Sequence, residues 1–221
     1  MQDLDAVVLS ALAQAVEGIV IDGCLGDVLL EKPKNGWSPR CDNSPTGTPV
    51  LTLSAVTGFQ YRGDKFKTTS EPVSLQTDYW LHEGDLLITR SNTAELVGHA
   101  AIYNGSPSPC IYSDLMMRLK VDEKKADKQF AHLWLMSDPV REHIRDSATG
   151  TSPSMKKIAQ GTVTTIPFPI RLSLTEQRHI VDYFRGIQKQ TDTLEKTQAE
   201  SAIELDALLP SLLTRAFRGE L

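Results

Sequence analysis

Apolar positions along the chain fall into three regimes. From Asp3 to Val20, Leu4, Val8, Leu12, Ala15 and Ile19 recur every three or four residues, the spacing of one helix face, and Gly18 frays its end. Two readings fit this short helix: a brace packed on its own domain, or an interface helix lying outside the globular part. From about Leu25 to Arg171 the pattern changes to short apolar or alternating runs. Leu25–Glu31, Pro49–Val56, Asp85–Thr89, Leu96–Tyr103 and Leu115–Val121 are the expected strands. In the last of these, Leu115, Met117, Leu119 and Val121 alternate with Met116, Arg118 and Lys120, which predicts a strand buried on one face only. Turn-rich stretches such as Lys34-Asn35-Gly36, Asn43-Ser44-Pro45-Thr46-Gly47 and Asn104-Gly105-Ser106-Pro107 separate the runs. One helix is predicted over Ala126–Leu135. A second has Asp138 as N-cap and Pro139 in its first turn, and carries Val140 and Ile144. The expectation is an α+β fold, with an irregular, mostly β domain and long loops.

The third regime begins after Ile166-Pro167-Phe168-Pro169-Ile170, which the prolines hold extended. Ser173-Leu174-Thr175-Glu176 reads as a capping box, in which the hydroxyl and the carboxylate satisfy free backbone amides reciprocally. Beyond it, Ile180, Phe184, Ile187, Thr191, Leu194, Gln198, Ser201, Leu205, Leu208 and Leu212 step alternately by four and three, a heptad seam. Thr191, Gln198 and Ser201 weaken its middle, and Pro210 is expected to kink or restart the helix. From Leu174 to Leu205 such a helix spans about 48 Å. A stripe that long needs another helix. The chain therefore divides into an N-terminal helix (1–21), a middle domain (22–171) and a long helix (172–221).

Composition narrows the options. With 221 residues, 40% hydrophobic and 23% charged, the chain can build a packed core. No run approaches the roughly 18–20 apolar residues that cross a bilayer, and the acidic N-terminus lacks the basic start of a signal peptide, so a cytoplasmic protein with no membrane partner is expected. Cys24, Cys41 and Cys110 are odd in number and contain no CxxC pair, which excludes a disulfide framework and a standard zinc site. The net charge of -5 argues against bulk coating of nucleic acid. Yet the middle domain is balanced between Lys+Arg and Asp+Glu, and the flanks supply the negative excess.

No phosphate-binding, dinucleotide, nucleophile-elbow or zinc-protease motif is present, and His82, His99, His132, His143 and His179 show no metal-ligand spacing. No catalytic residue, metal or cofactor is expected. One constellation has chemistry on offer: Asp114 with Glu123-Lys124-Lys125 loosely fits the carboxylates and lysine of a Mg²⁺ nuclease. The ordinary reading is a strand start and a charged loop opening a helix. A coiled-coil adaptor with a protein-binding head is a further alternative.

Leu25-Gly26-Asp27-Val28, Asn35-Gly36-Trp37-Ser38-Pro39, Gly84 to Arg90, Leu96-Val97-Gly98 and Ile111-Tyr112-Ser113-Asp114, followed by Arg118-Leu119, resemble the target recognition domain of type I restriction-modification specificity subunits. Ile158-Ala159-Gln160, Ile166 to Pro169, Glu176 to Val181 and the closing Leu212–Leu221 are similar to that family's helical repeat. Members usually carry two recognition domains and two long helices, whereas this chain has one of each, so it looks like half a subunit.

The resemblance implies a non-catalytic subunit that binds one half of a bipartite double-stranded DNA target. Partners would be a methyltransferase (modification) subunit, an ATP-driven restriction subunit and a second copy, giving a homodimer through antiparallel helices. A two-fold dimer would read a palindromic target. The 48 Å helix would set an unread gap of at most about 14 base pairs at the ~3.4 Å rise of DNA. Phosphate contacts position a protein, while polar side chains at base edges specify. The candidate DNA contacts are Lys32, Lys34, Trp37, Ser38 and Arg40; Tyr61, Arg62, Lys65 and Lys67; Arg90 and Asn92; and Lys156 and Lys157. Arg40, Lys65, Lys67 and Arg90 are expected on one face. The candidate interface residues are Leu12, Ile180, Phe184, Ile187, Leu194, Leu205, Leu208 and Leu212.

Overall fold

Dense turn residues between Gly18 and His179 leave room only for short strands. The computed structural model describes residues 10–152 and 155–218, with the side chains at 207 and 209–216 outside the description. Its strands are β1 (Gly23–Cys24), β2 (Lys34–Asn35), β3 (Thr48–Leu51), β4 (Phe66–Thr69), β5 (Leu86–Thr89), β6 (Ser91–Asn92), β7 (Ala100–Ile102), β8 (Ile111–Tyr112), β9 (Met116–Leu119), β10 (Lys156–Lys157) and β11 (Pro167–Phe168). The helices are α1 (residues 10–16), α2 (Lys128–Trp134), α3 (Asp138–Ser147), α4 (Gln160–Thr164) and α5 (Leu174–Phe217). Short 3-10 turns cover Leu25–Val28 and Leu53–Ala55. The fold is α+β. Gly18–His179 forms one compact unit, the head; the segment up to Glu17 groups with the helix from Ile180 onward in the other.

The head holds a four-stranded sheet of order β2-β9-β5-β7 and a three-stranded sheet of order β4-β3-β8, with β1-β11 and β10-β6 as small antiparallel pairs. Leu51, Ala55, Leu87, Ala101, Tyr103, Tyr112 and Met116 meet in one apolar cluster that joins the two larger sheets. Tyr61 packs against that cluster, edge-on to Tyr103. A second focus is aromatic. Phe130, Trp134 and Phe168 have ring centroids 5.8–6.2 Å apart, and the Trp134 indole N–H donates to the Pro167 carbonyl.

Several expected strands change on folding: Pro49–Val56 gives way to the 3-10 turn at Leu53–Ala55 after β3, and Leu96–Tyr103 is strand only over Ala100–Ile102. β9 is buried on both faces, not one, because it lies between β2 and β5. The Arg118 side chain that alternation assigns to solvent is buried instead: it lies 3.5 Å from Asp85, donates to the Trp80 carbonyl and sits over the Tyr112 ring. Pairing and a carbonyl acceptor are what make a buried guanidinium tolerable. Leu25–Val28 curls into a 3-10 turn because the Asp27 carboxylate accepts the Cys24 N–H, a local bond that competes with strand pairing.

The helices follow their sequence signals with small shifts. The Asp127 carboxylate caps α2 by accepting the N–H groups of Gln129 and Phe130. In α3 the N-cap is Ser137, so Asp138 falls inside the first turn; Val140 and Ile144 are buried. The Ser173–Glu176 box forms at α5 in both directions. Buried Gln177 then ties the first turn of α5 to the head: its carbonyl accepts the Asp127 N–H and its amide donates to the Leu172 carbonyl. α5 continues through Pro210 to Phe217 without restarting there, so its 44 residues span about 66 Å, of which Leu174–Leu205 is the 48 Å stretch expected.

Candidate nucleic-acid interface

Gly36 fixes how the loops meet. A Cβ at that position would lie 2.1 Å from the Tyr112 carbonyl oxygen, so only glycine lets residues 35–38 cross the β8–β9 loop at contact distance. The Trp37 N–H donates to the Tyr112 carbonyl at 3.0 Å. Ser38 Oγ donates to Asp114 Oδ1 at 2.5 Å and accepts the Asp114 N–H at 3.1 Å. Across the same loop the Arg90 N–H donates to the Leu115 carbonyl at 2.7 Å, and the Ile158 N–H donates to the Arg90 carbonyl at 2.9 Å. β6 and β10 extend this line by pairing Ser91 with Lys157 and Asn92 with Lys156. On the other side of Ser38, the Thr69 hydroxyl donates to the Arg40 carbonyl, and the Glu71 carboxylate accepts the Arg40 N–H. Hydrogen bonds thus link loops far apart in sequence into one connected line, termed the ridge below, from β4 through Arg40, Ser38, Asp114–Leu115 and Arg90 to Lys157.

The thirteen sequence candidates separate by what already holds them. Arg40, Lys67, Arg90 and Lys157 lie on the ridge, and none of their charged heads has a partner among the described residues; exposed Lys32, ahead of β2, has none either. Lys34 is bracketed by Glu31 and Asp78, and the Asp78 carboxylate foremost raises its pKa. Lys65 pairs with Asp64, Arg62 donates to the Thr57 carbonyl, and Lys156 donates to the Gly150 carbonyl. Tyr61 serves the core, with its hydroxyl on the Ser106 carbonyl, and burial raises its pKa. Trp37 stacks on Tyr79 with centroids 6.0 Å apart, and Asn92 accepts the Thr93 N–H. The ridge also exposes apolar side chains between its cations: Phe66 between Lys65 and Lys67, Leu115 beside Asp114, and Met155 beside Lys156. Neither Tyr79 nor Leu115 was a site candidate in the sequence, because only the fold brings them beside Trp37 and Arg90.

The nuclease constellation does not assemble. Asp114 precedes β9 and binds Ser38, whereas Glu123 follows β9 and pairs with Lys128. The Lys125 ammonium donates to the Asp27 carbonyl. Among the described residues no three His, Cys, Asp or Glu side chains form a metal-sized group. The three cysteines are free, and burial pushes the Cys110 thiol up to about 12.

A second surface lies on α5. Leu12 and Ala11 of α1 are buried by their own chain, with Leu12 only 2% exposed. On α5, Ile180, Phe184 and Ile187 are half-buried and Thr191 is 5% exposed. The seam then opens: Leu194 is 54%, Leu205 65% and Leu208 55% exposed. The Leu212 side chain falls outside the described residues. No helix among the described residues is long and apolar enough to cross a membrane.

Comparison with known proteins identifies the family and the fold. The family model for the type I restriction modification DNA specificity domain matches residues 22–205. The chain belongs to that family. Curated relatives include the specificity subunits of the type I restriction enzymes EcoEI of Escherichia coli, 25% identical over 185 residues, and EcoKI of Escherichia coli strain K12, 28% identical over 200 residues. The matches cover 80% and 87% of this chain but 31% and 41% of those subunits, so the chain spans less than half the length of these relatives. Among solved structures, the HsdS subunit from Thermoanaerobacter tengcongensis matches all of this chain and 52% of its own, with a TM-score of 0.61 at 22% identity. A chain from a study of complex assembly and conformational transition in the type I R-M system matches with a TM-score of 0.69 at 23% identity, over 53% of its length. Those two share the fold.

Proposed function

We propose that this chain is a non-catalytic DNA specificity subunit of a type I restriction-modification system in half-length form. The head reads one half of a bipartite duplex target, and the open seam of α5 pairs antiparallel with a second copy. The pair recruits the modification and restriction subunits, which supply methyl transfer and cleavage. The observation that carries this reading is the ridge, where the unpaired cations Arg40, Lys67, Arg90 and Lys157 alternate with polar and apolar side chains on loops that hydrogen bonds hold together. Cations of that kind meet phosphates, and rigid polar groups between them meet base edges.

A neutral head suits this task, because balanced charge limits indiscriminate binding and leaves selection to the ridge. α5 gives the pair a rigid spacer. Two heads on antiparallel helices would present their ridges with two-fold symmetry, and the target would be a palindrome with an unread middle. Mapping DNA methylation in the native host with and without the gene tests the reading. A bipartite palindromic motif should lose its methylation when the gene is deleted. An unchanged methylation map would refute it.

A further inference from the structure

Asp114 is an anomaly on a surface proposed to meet DNA. A carboxylate on the same hydrogen-bonded line of loops as Arg40, Arg90 and Lys157 is repelled by the phosphates those cations attract, so its presence calls for a donor opposite it. Its geometry is set with care. The Asp114 N–H donates to Ser38 Oγ, so the serine proton is left for Asp114 Oδ1, which it meets at 2.5 Å. Asp114 Oδ2 has no protein partner among the described residues, and the side chain is exposed. The Ser38–Asp114 pair therefore offers the solvent only acceptors. The loop that carries it is clamped on both sides, by Trp37 on the Tyr112 carbonyl and by Arg90 on the Leu115 carbonyl, and Gly36 permits no slack at the crossing. A fixed acceptor can discriminate where a mobile one cannot.

We infer that Asp114, positioned by Ser38, is a specificity-determining residue that accepts a hydrogen bond from the exocyclic amine of a cytosine in the major groove of the target. This rests on the DNA-reading proposal above. Base edges carry few donors in that groove: cytosine N4 and adenine N6. Adenine sets its N7 acceptor beside N6, which repels a carboxylate, whereas cytosine presents its amine beside a carbon. Guanine and thymine offer acceptors only and are rejected.

The test maps genomic methylation in the native host carrying the wild-type gene, Asp114→Asn or Ser38→Ala. The wild type should mark a motif with a cytosine specified at one position of each half-site. Asp114→Asn should relax that position about tenfold and leave the other positions unchanged, since one base contact governs one position. Ser38→Ala should relax the same position more weakly, because the carboxylate survives and only its positioning is lost. An identical motif at unchanged stringency in Asp114→Asn would overturn the inference. So would relaxation confined to an A·T position, or loss of all marking with the folded variant present at wild-type level. If Asp114→Asn does not accumulate, Ser38→Ala decides: no change at a cytosine position refutes the assignment. A wild type that marks no motif would defeat the DNA-reading proposal itself, a separate outcome.

Discussion

The head and the outer part of α5 both carry apolar residues at regular spacing, and they use them in opposite ways. In the head, β5 is buried along its whole length, β9 takes even Arg118 inside, and Phe130, Trp134 and Phe168 close on one another. On α5 the same kind of periodicity is half-buried as far as Thr191 and then lies in water at Leu194, Leu205 and Leu208. Periodicity therefore states which side chains seek cover, not where the cover comes from. The head supplies its own. The helix beyond Thr191 carries an apolar stripe that stays uncovered among the described residues, the seam proposed above to pair with a second copy.

The largest effect that sharpens this contrast belongs to the head. Trp134→Ala removes a fully buried indole and its bond to Pro167 and should cost about 3–5 kcal/mol of unfolding free energy in urea denaturation. Leu205→Ala, by contrast, should leave the stability of the isolated chain within roughly 0.5 kcal/mol. Leu194→Asp places a charge in the seam of both copies. It should weaken self-association about a hundredfold, or roughly 3 kcal/mol, in sedimentation velocity while the melting temperature of the head stays put.

A smaller effect follows from His99. Its Nδ1 accepts the Gly58 N–H and its ring stacks on Phe59, with Arg141 over the other ring of that stack. Burial foremost, then the Arg141 charge, lowers its pKa to about 4. The unfolded chain, with histidine near 6.5, binds the proton first, so stability is full at neutral pH and falls as pH drops from about 6.5 towards 4. The loss should reach about 2 kcal/mol, read by denaturation at pH 7 and pH 4.5 and diminished in His99→Gln. The smallest effect concerns the ridge. Lys157→Ala should reduce the salt dependence of DNA binding by about one counterion and leave base preference intact.

How much of this was legible in the sequence depends on range. Local signals translated well: the Ser173–Glu176 box, the buried Val140 and Ile144, and the helix over Lys128–Trp134 all follow from neighbouring residues. Long-range pairing was not legible. β1, β2, β6, β8, β10 and β11 are two-residue strands whose partners lie far along the chain, and two residues carry no period. Arg118 misleads alternation because its cover, Asp85 and the Trp80 carbonyl, comes from elsewhere in the sequence. The ridge shows the same limit. Its basic loops could be named one by one, but Lys34 and Lys65 turn out to be held by carboxylates, and Asp114 acquires its meaning only beside Ser38.

The seam beyond Thr191 is where the account stands most exposed. Sedimentation equilibrium of the 221-residue chain at micromolar concentration measures its occupancy directly. Pairing through α5 predicts a mass of twice 24.4 kDa that reverts to 24.4 kDa in Leu194→Asp. A wild-type chain that sediments at 24.4 kDa across that range would contradict it.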